Sequence, residues 1–306
     1  MSRTTQIWTA LGAVYVIWGS TYLGIELAGE TIPPVFAVGT RFVAAGLLMA
    51  LLTGWRRGWR VFRVTRAQLA STILVGVLLP GANGLLFIAE RHVATGVASL
   101  IIGSVPLWIV LLRTATGDRP PGAALAAVVI GFAGLALLVH PGGRSPLWSL
   151  LVVVGSSVMW ATGSFLSSRL PMPEDTFAAT SLEMLVGGAI MLPIGIATTH
   201  PHFGEFSARS IGGWAYLVTF GSIVGYTAYV WLLDNAPLGT VATYAYVNPV
   251  VAIALGALVL HEHLTWRVGA GALLVLACVA VVVRRESLPA EAEAMPAGAA
   301  ASGSDY

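Results

Sequence analysis

Two isolated charges inside long apolar runs are the first residues of this chain that could do chemistry. Arg41 lies in the run 35–54 and Glu183 in the run 176–198. A charge in hydrocarbon costs at least ~2.5–3.5 kcal/mol, so such groups face a bundle interior or a water-filled cavity. Each could be tied structurally to carbonyls and hydroxyls of neighbouring helices, or could bind or gate a charged substrate group. Glu183 could instead carry a proton, because burial disfavours a charged carboxylate. Aromatic residues form the next set: Trp18, Tyr22, Trp160, Tyr226, Tyr229, Trp231, Tyr244 and Tyr246, with Trp231, near a span end, expected in the interfacial belt. Lining a cavity, they would offer flat apolar faces and a few hydrogen bonds, suited to loosely specified organic molecules or cations. Helix packing is the competing role for each. Asn83, between Gly81 and Gly84, is a polar amide at a point of close helix approach.

The run Thr243–Val250, Thr-Tyr-Ala-Tyr-Val-Asn-Pro-Val, gathers several of these groups. Pro249 has no N–H to donate and displaces the carbonyl of Ala245. A freed carbonyl in hydrocarbon costs several kcal/mol unless something satisfies it. With Asn248 and two tyrosines beside it, this segment is expected to hinge and to face a polar space.

Other chemistries lack their residues. All 16 basic residues are arginine, so there is no lysine for a Walker A phosphate loop. His261-Glu262-His263 lacks the spacing that puts two imidazoles on one helix face, so no metal site is expected. Glu262 is expected to cap the last helix. Neither a G-x-S-x-G elbow nor a paired-carboxylate motif occurs, and no cofactor is implied. Cys278 is alone and cannot form an intrachain disulfide.

The elements that must position these residues are apolar. The chain has 306 residues, of which 57% are hydrophobic and 10% charged. Soluble domains carry about 25% charged residues, so this is an all-α integral membrane protein with the lipid bilayer as its solvent. Runs of spanning length fall at 7–28, 35–54, 69–89, 94–115, 122–140, 147–168, 176–198, 211–233, 238–260 and 266–284. The first is expected to be retained as a span. Residues 287–306 are rich in Ala, Glu, Gly, Ser and Pro and read as a disordered tail. With the N-terminus inside, eleven arginines fall on the cytoplasmic side: Arg3, Arg56, Arg57, Arg60, Arg63, Arg66, Arg113, Arg119, Arg169, Arg284 and Arg285. Four fall outside: Arg91, Arg144, Arg209 and Arg267. That bias places both termini, and the tail, in the cytoplasm.

The two halves echo each other. A shift of 142 takes Trp18 to Trp160 and Arg41 to Glu183; a shift of 144 takes Gly81 to Gly225, Phe87 to Trp231 and Glu90 to Asp234; a shift of 143 takes Pro106 to Pro249. This implies a duplicated five-helix unit, 7–141 and 147–285. Five is odd, so the second unit enters the membrane inverted, an arrangement found in secondary transporters. Pro106 and Pro249 are then one hinge per half.

Tyr15-Val16-Ile17-Trp18-Gly19-Ser20-Thr21-Tyr22-Leu23, Arg41-Phe42, Gly84 followed by Ala89-Glu90, Val105-Pro106-Leu107, Trp160-Ala161-Thr162-Gly163-Ser164, Phe220-Gly221-Ser222, Tyr244–Val250 and His261-Glu262 together resemble the EamA family of the drug/metabolite transporter superfamily, and within it the YedA-like inner-membrane permeases. The resemblance covers about residues 10–285. It implies ten helices in two repeats, cytoplasmic termini and a central cavity lined by Trp18, Ser20, Asn83, Trp160, Ser164, Tyr226, Tyr244 and Asn248. It also implies export of metabolites, amino acids or drugs across the cytoplasmic membrane, with protons as coupling ion. His261 stands where the family has a glycine before the loop glutamate. A membrane-embedded enzyme, and an uncoupled channel or importer of a small metabolite, are the alternatives.

Overall fold

The computed structural model describes residues 2–139, 145–236, 238–263 and 265–294. Among these residues there are helices, turns and loops, and no strand. Buried backbone polar groups away from water must be satisfied within their own segment, which a helix does.

Local chemistry sets most helix starts. α1 (Arg3–Gly29) begins after Ser2, whose hydroxyl accepts from Thr5 N. α2 (Pro34–Arg57) begins on a proline, which needs no donor partner in a first turn. α3 (Arg66–Glu90) opens with a capping box between Thr65 and Gln68. The next run breaks at Gly103-Ser104 into α4 (Thr95–Ile102) and α5 (Val105–Ala115). α6 (Gly122–Leu138) and α7 (Leu147–Ser167) follow. α8 (Thr176–Thr199) is capped by Asp175, which also pairs with Arg57 of α2 at 2.6 Å. α9 (Ala208–Tyr216) passes through π-helical turns at Leu217–Val224 into α10 (Gly225–Asn235). The short α11 (Leu238–Val241) leads to α12 (Tyr244–Val259), and α13 (Trp266–Ala294) ends the described chain.

Eight of the continuous helical runs are long and apolar enough to cross a membrane, counting α4 with α5 and α9 through Leu233 as one each. The other two expected spans, α6 and α12, have 17 and 16 helical residues. At the other end of the chain, α13 continues to Ala294, into the stretch expected to be a disordered tail. The remainder of that tail lies outside the described residues.

Glycines seat the tightest helix pairs. α2 and α8 touch through Gly39, Gly46, Gly188 and Gly195, each pair seven residues apart. A Cβ at Gly39 would lie 2.5 Å from Leu192 N, and one at Gly188 would lie 2.6 Å from Val43 N. α6 and α13 meet in the same way at Gly134 and Gly271. Small residues let helix backbones approach where lipid gives no hydrophobic drive for association. α1 packs on α9, α10 and α12, while α7 packs on α3, α4 and α5. The main core runs through both halves, from Phe36 and Phe87 to Leu107, Val153, Val275 and Val279.

Two loops each place a left-handed residue before an acid. Gly117 has φ +92° and His261 φ +55°, both left-handed, and each precedes an acidic residue, Asp118 and Glu262. The left-handed residue before the acid is therefore kept where glycine is not, although Asp118 N bonds back to the Arg113 carbonyl and Glu262 N to that of Gly256. A side chain in this region costs about 1–2 kcal/mol, partly offset by the extra disorder glycine brings to the unfolded chain. His261→Gly is expected to stabilise the protein by about 1 kcal/mol, and His261→Val, β-branched at positive φ, to destabilise it. Thermal unfolding in detergent measures both; a higher midpoint for the valine variant would refute the strained turn.

Candidate functional site

The site is built where α1, α10 and α12 meet. Trp18 packs on Tyr229 with ring centroids 5.0 Å apart and edge-on to Tyr244 at 5.2 Å. Tyr229 and Tyr244 meet edge to face at 5.6 Å, and Tyr226 lies 6.2 Å from Tyr229. The arrangement requires small neighbours. A Cβ at Gly225 would fall 2.6 Å from Trp18 Nε1, and one at Gly19 would fall 3.1 Å from the Asn248 carbonyl. Asn248 itself is buried, and its side-chain oxygen has no hydrogen-bond partner among the described residues. A buried amide oxygen left unsatisfied costs about 1–3 kcal/mol, so a donor arriving there would be favoured.

Thr180 of α8 donates to the Tyr226 hydroxyl, and Glu183, one turn further along α8, lies within electrostatic reach of that hydroxyl. Arg41 is buried and donates from Nε to Ser222 Oγ at 3.2 Å. Ser222 in turn donates to the carbonyl of Leu217, five residues back, across the π-helical turns. These wider turns open room for the guanidinium beside Gly221. Arg41 Nη1 has no partner among the described residues, and no ion pair joins Arg41 to Glu183 there.

Several expected site residues sit elsewhere. Tyr246 is turned away from the aromatic cluster, toward Tyr15 and Arg284. The reason is helical geometry: residues two apart point about 200° apart, so Tyr244 and Tyr246 cannot share a face. Ser20 is committed to Tyr216 at 2.5 Å and to the Val16 carbonyl. Asn83 donates to the Leu79 carbonyl of its own helix at 3.2 Å. Trp160 and Ser164 are half-buried on α7, which packs on α3, α4 and α5, whereas the cluster is carried by α1, α10 and α12. Tyr22 is buried within electrostatic reach of Tyr244 and of Glu90.

The two prolines play different parts. Pro249 lies inside α12, and its ring packs against Gly103, where a Cβ would be 3.1 Å away. Pro106 lies in the first turn of α5, just after the break at Gly103-Ser104. It starts a helix, a position proline fits without strain, and does not kink one. The break of one half thus meets the proline of the other.

Glu262 holds α4, not the last helix. Its carboxylate accepts from Thr95 N at 2.7 Å and Gly96 N at 3.1 Å, donors that Ala94 at the N-cap cannot satisfy. It reaches across Gly256, where a Cβ would lie 2.5 Å from Oε2. Asp118, its counterpart in position, is bound by Arg113 at 3.1 Å and Arg169 at 2.5 Å. The Arg113 hydrogen bond holds its carboxyl below the usual carboxylate range. Sequence reasoning missed the role of Glu262, and it named Tyr229 among the aromatics without counting it as cavity-lining; its place three residues from Tyr226, on one helix face, carried that signal. Among the described residues no group of three or more His, Cys, Asp or Glu side chains is placed to hold a metal ion.

The model of the EamA-like transporter family matches residues 5–140 and again 147–284. The uncharacterized inner membrane transporter YedA of Escherichia coli K12 is 35% identical over 257 residues, covering 81% of this chain and 80% of its own. An uncharacterized transporter of Archaeoglobus fulgidus is 23% identical over 282 residues, covering 91% and 99%. A crystal structure of a protein 20% identical in sequence aligns with 96% of this chain and all of its own at a TM-score of 0.63, a likeness of fold alone. A family match in two segments that together take in nearly every helix described above makes this chain a member of the EamA-like transporter family.

Proposed function

We propose that this chain is a secondary transporter that exports small organic molecules across the cytoplasmic membrane by alternating access, in ten spans arranged as two inverted repeats with both termini inside. The observation that carries the reading is the unsatisfied Asn248 oxygen, buried on α12 one turn from Tyr244, whose ring meets Trp18 and Tyr229 where α12 packs on α1 of the other half. Such a place offers stacking surface and one acceptor but no catalytic pair, which suits recognition without reaction. Arg41, with one guanidinium nitrogen free, supplies a cation for an anionic group of the cargo. Support for the inverted repeat comes from the packing: α1 on α10 and α12 mirrors α7 on α3 and on α4 with α5. Support for an inside location of the termini is the arginine bias.

A panel of metabolites and drugs tests the function: cells with and without the protein are compared for extracellular accumulation and for resistance. Against any compound exported, Trp18→Ala and Asn248→Ala are expected to weaken apparent affinity about tenfold, the loss of roughly 1–2 kcal/mol of stacking or hydrogen bonding. Unchanged affinity in both variants would remove these residues from the site. Saturable exchange of labelled for unlabelled substrate distinguishes a carrier from a channel.

A further inference from the structure

A second polar region lies at the end of the bundle where α1 and α3 finish. A cavity of about 190 Å³ opens there, lined by Ile25, Glu26, Gly29, Glu30, Phe87, Glu90 and Arg91. Glu90, the last residue of α3, is only 3% exposed, and neither carboxylate oxygen has a hydrogen-bond partner among the described residues. It is a different group from Glu183, which lies against Tyr226.

The surroundings of Glu90 are acidic. Glu26 and Glu30 of α1 share its cavity, and Glu262 lies within electrostatic reach of both Glu90 and Glu26. Glu262 is satisfied as an anion by the two N–H groups of α4. Glu30 is paired with Arg209 at 3.2 Å. Arg91 reaches the cavity from the same turn. Tyr22 is a further titratable neighbour, and it also neighbours Tyr244 of the aromatic site. A negative charge on Glu90 would therefore be buried, unbonded and next to like charge, each of which is costly. A carboxylic acid in the same place avoids the repulsion and the charge burial, and its unpaired polar atoms cost far less than an unpaired charge.

We propose that Glu90 holds an exchangeable proton, that the Glu26–Glu30–Arg91 cavity is its route to water, and that this proton is the one coupled to transport. The last clause rests on the transporter reading above; the first two do not. With the termini inside, the cavity faces outward, so Glu90 loads from the external side. The proton is bound as O–H and leaves as a hydrated proton through the cavity, and no other bond changes. Tyr22, between Glu90 and Tyr244, is the element through which occupancy of the two sites would be felt.

Infrared difference spectroscopy of the purified full-length protein, between neutral and alkaline pH, tests the site without any substrate. The wild type is expected to show the C=O stretch of a buried carboxylic acid, which Glu90→Gln removes and Glu205→Gln, at an exposed carboxylate outside the cavity, leaves in place. Absence of that band, its persistence in Glu90→Gln, or its loss when sodium chloride is added at fixed pH would overturn the proposal, the last by making the site one for a metal cation. Proteoliposomes test the coupling: the ratio of pH-gradient-driven flux to substrate exchange is expected to fall on the order of tenfold or more in Glu90→Gln. An unchanged ratio with the band lost would make the proton structural and end the coupling claim. A wild type that moves no substrate from the panel would count against the transporter reading and its coupled proton, while the spectra would still decide whether Glu90 is protonated.

Discussion

Gly39→Ala is expected to remove most of the folded protein. Alanine is the better helix former by about 1 kcal/mol, so propensity alone predicts a gain. Packing reverses the sign. The added methyl would meet the backbone of Leu192, 2.5 Å from N and 2.6 Å from Cα, and no side-chain rotation relieves a clash with main chain. α2 and α8 would have to separate. Their contact continues through Gly46 against Ser181 and Leu185, Gly188 against Val43, and Gly195 against Phe36, so the gap would propagate along the pair. Inserting even one methylene into a well-packed core costs typically 1–3 kcal/mol, and a rigid contact lies at or above the upper end. Against a total stability of about 5–15 kcal/mol this loss is large. Gly12→Ala and Gly155→Ala, with nothing within 4 Å of the new Cβ, serve as controls that keep the gain in propensity. Size-exclusion profiles of detergent extracts measure the outcome: a monodisperse peak for the controls and its loss for Gly39→Ala. An unaltered peak for Gly39→Ala would mean that the α2–α8 contact does not hold the bundle together.

The contrast between these glycines marks what the sequence discloses. Gly39 and Gly188 are visible as glycines in apolar runs, but so are Gly12 and Gly155, and only the packed structure separates them. Helix content and most element boundaries follow from hydropathy, proline and capping residues, which act locally. The breaks at Gly103-Ser104 and at 242–243 do not, because each depends on what lies across the bundle; Gly103 is shaped by Pro249 of the other half. The candidate site was legible to the same extent. Trp18, Tyr226 and Tyr244 converge on Tyr229 as their types suggest, whereas Tyr246 was grouped with Tyr244 by sequence proximity when the 100° step of the helix forbids it. Ser20 and Asn83 have the right chemistry for a cavity but are occupied by local hydrogen bonds, a competition that residue type cannot reveal. Glu262 was read as serving the helix that follows it. Only the fold brings the N-terminus of α4, more than a hundred and sixty residues away in sequence, within its reach.

That long-range contact carries the second large effect. Glu262→Gln is expected to shift the protein toward a state open at the end where α4 begins. The glutamate joins the second half to the first through two backbone N–H groups, at 2.7 Å and 3.1 Å, beside the meeting of α4 with α12. Charge-assisted bonds of this kind contribute about 1.5 kcal/mol or more each. A glutamine of the same shape keeps one acceptor oxygen and turns an amide N–H₂ against the other backbone donor. It also removes the anion that favours the positive end of the helix. The combined loss of about 3 kcal/mol corresponds to on the order of a hundredfold in the equilibrium between closed and open forms, enough to convert a minor state into the major one. Spin labels at Ala94 and His263, both exposed, would report it as a longer distance population in place of a short one. Asp118→Asn, acting on the Arg113–Asp118–Arg169 cluster instead, is expected to leave that distance unchanged. The clamp would be dismissed by a Glu262→Gln distribution that matches the wild type. A matching shift in Asp118→Asn would mean instead that both loops act on one motion, with each half gated by the acidic residue that follows its own left-handed turn.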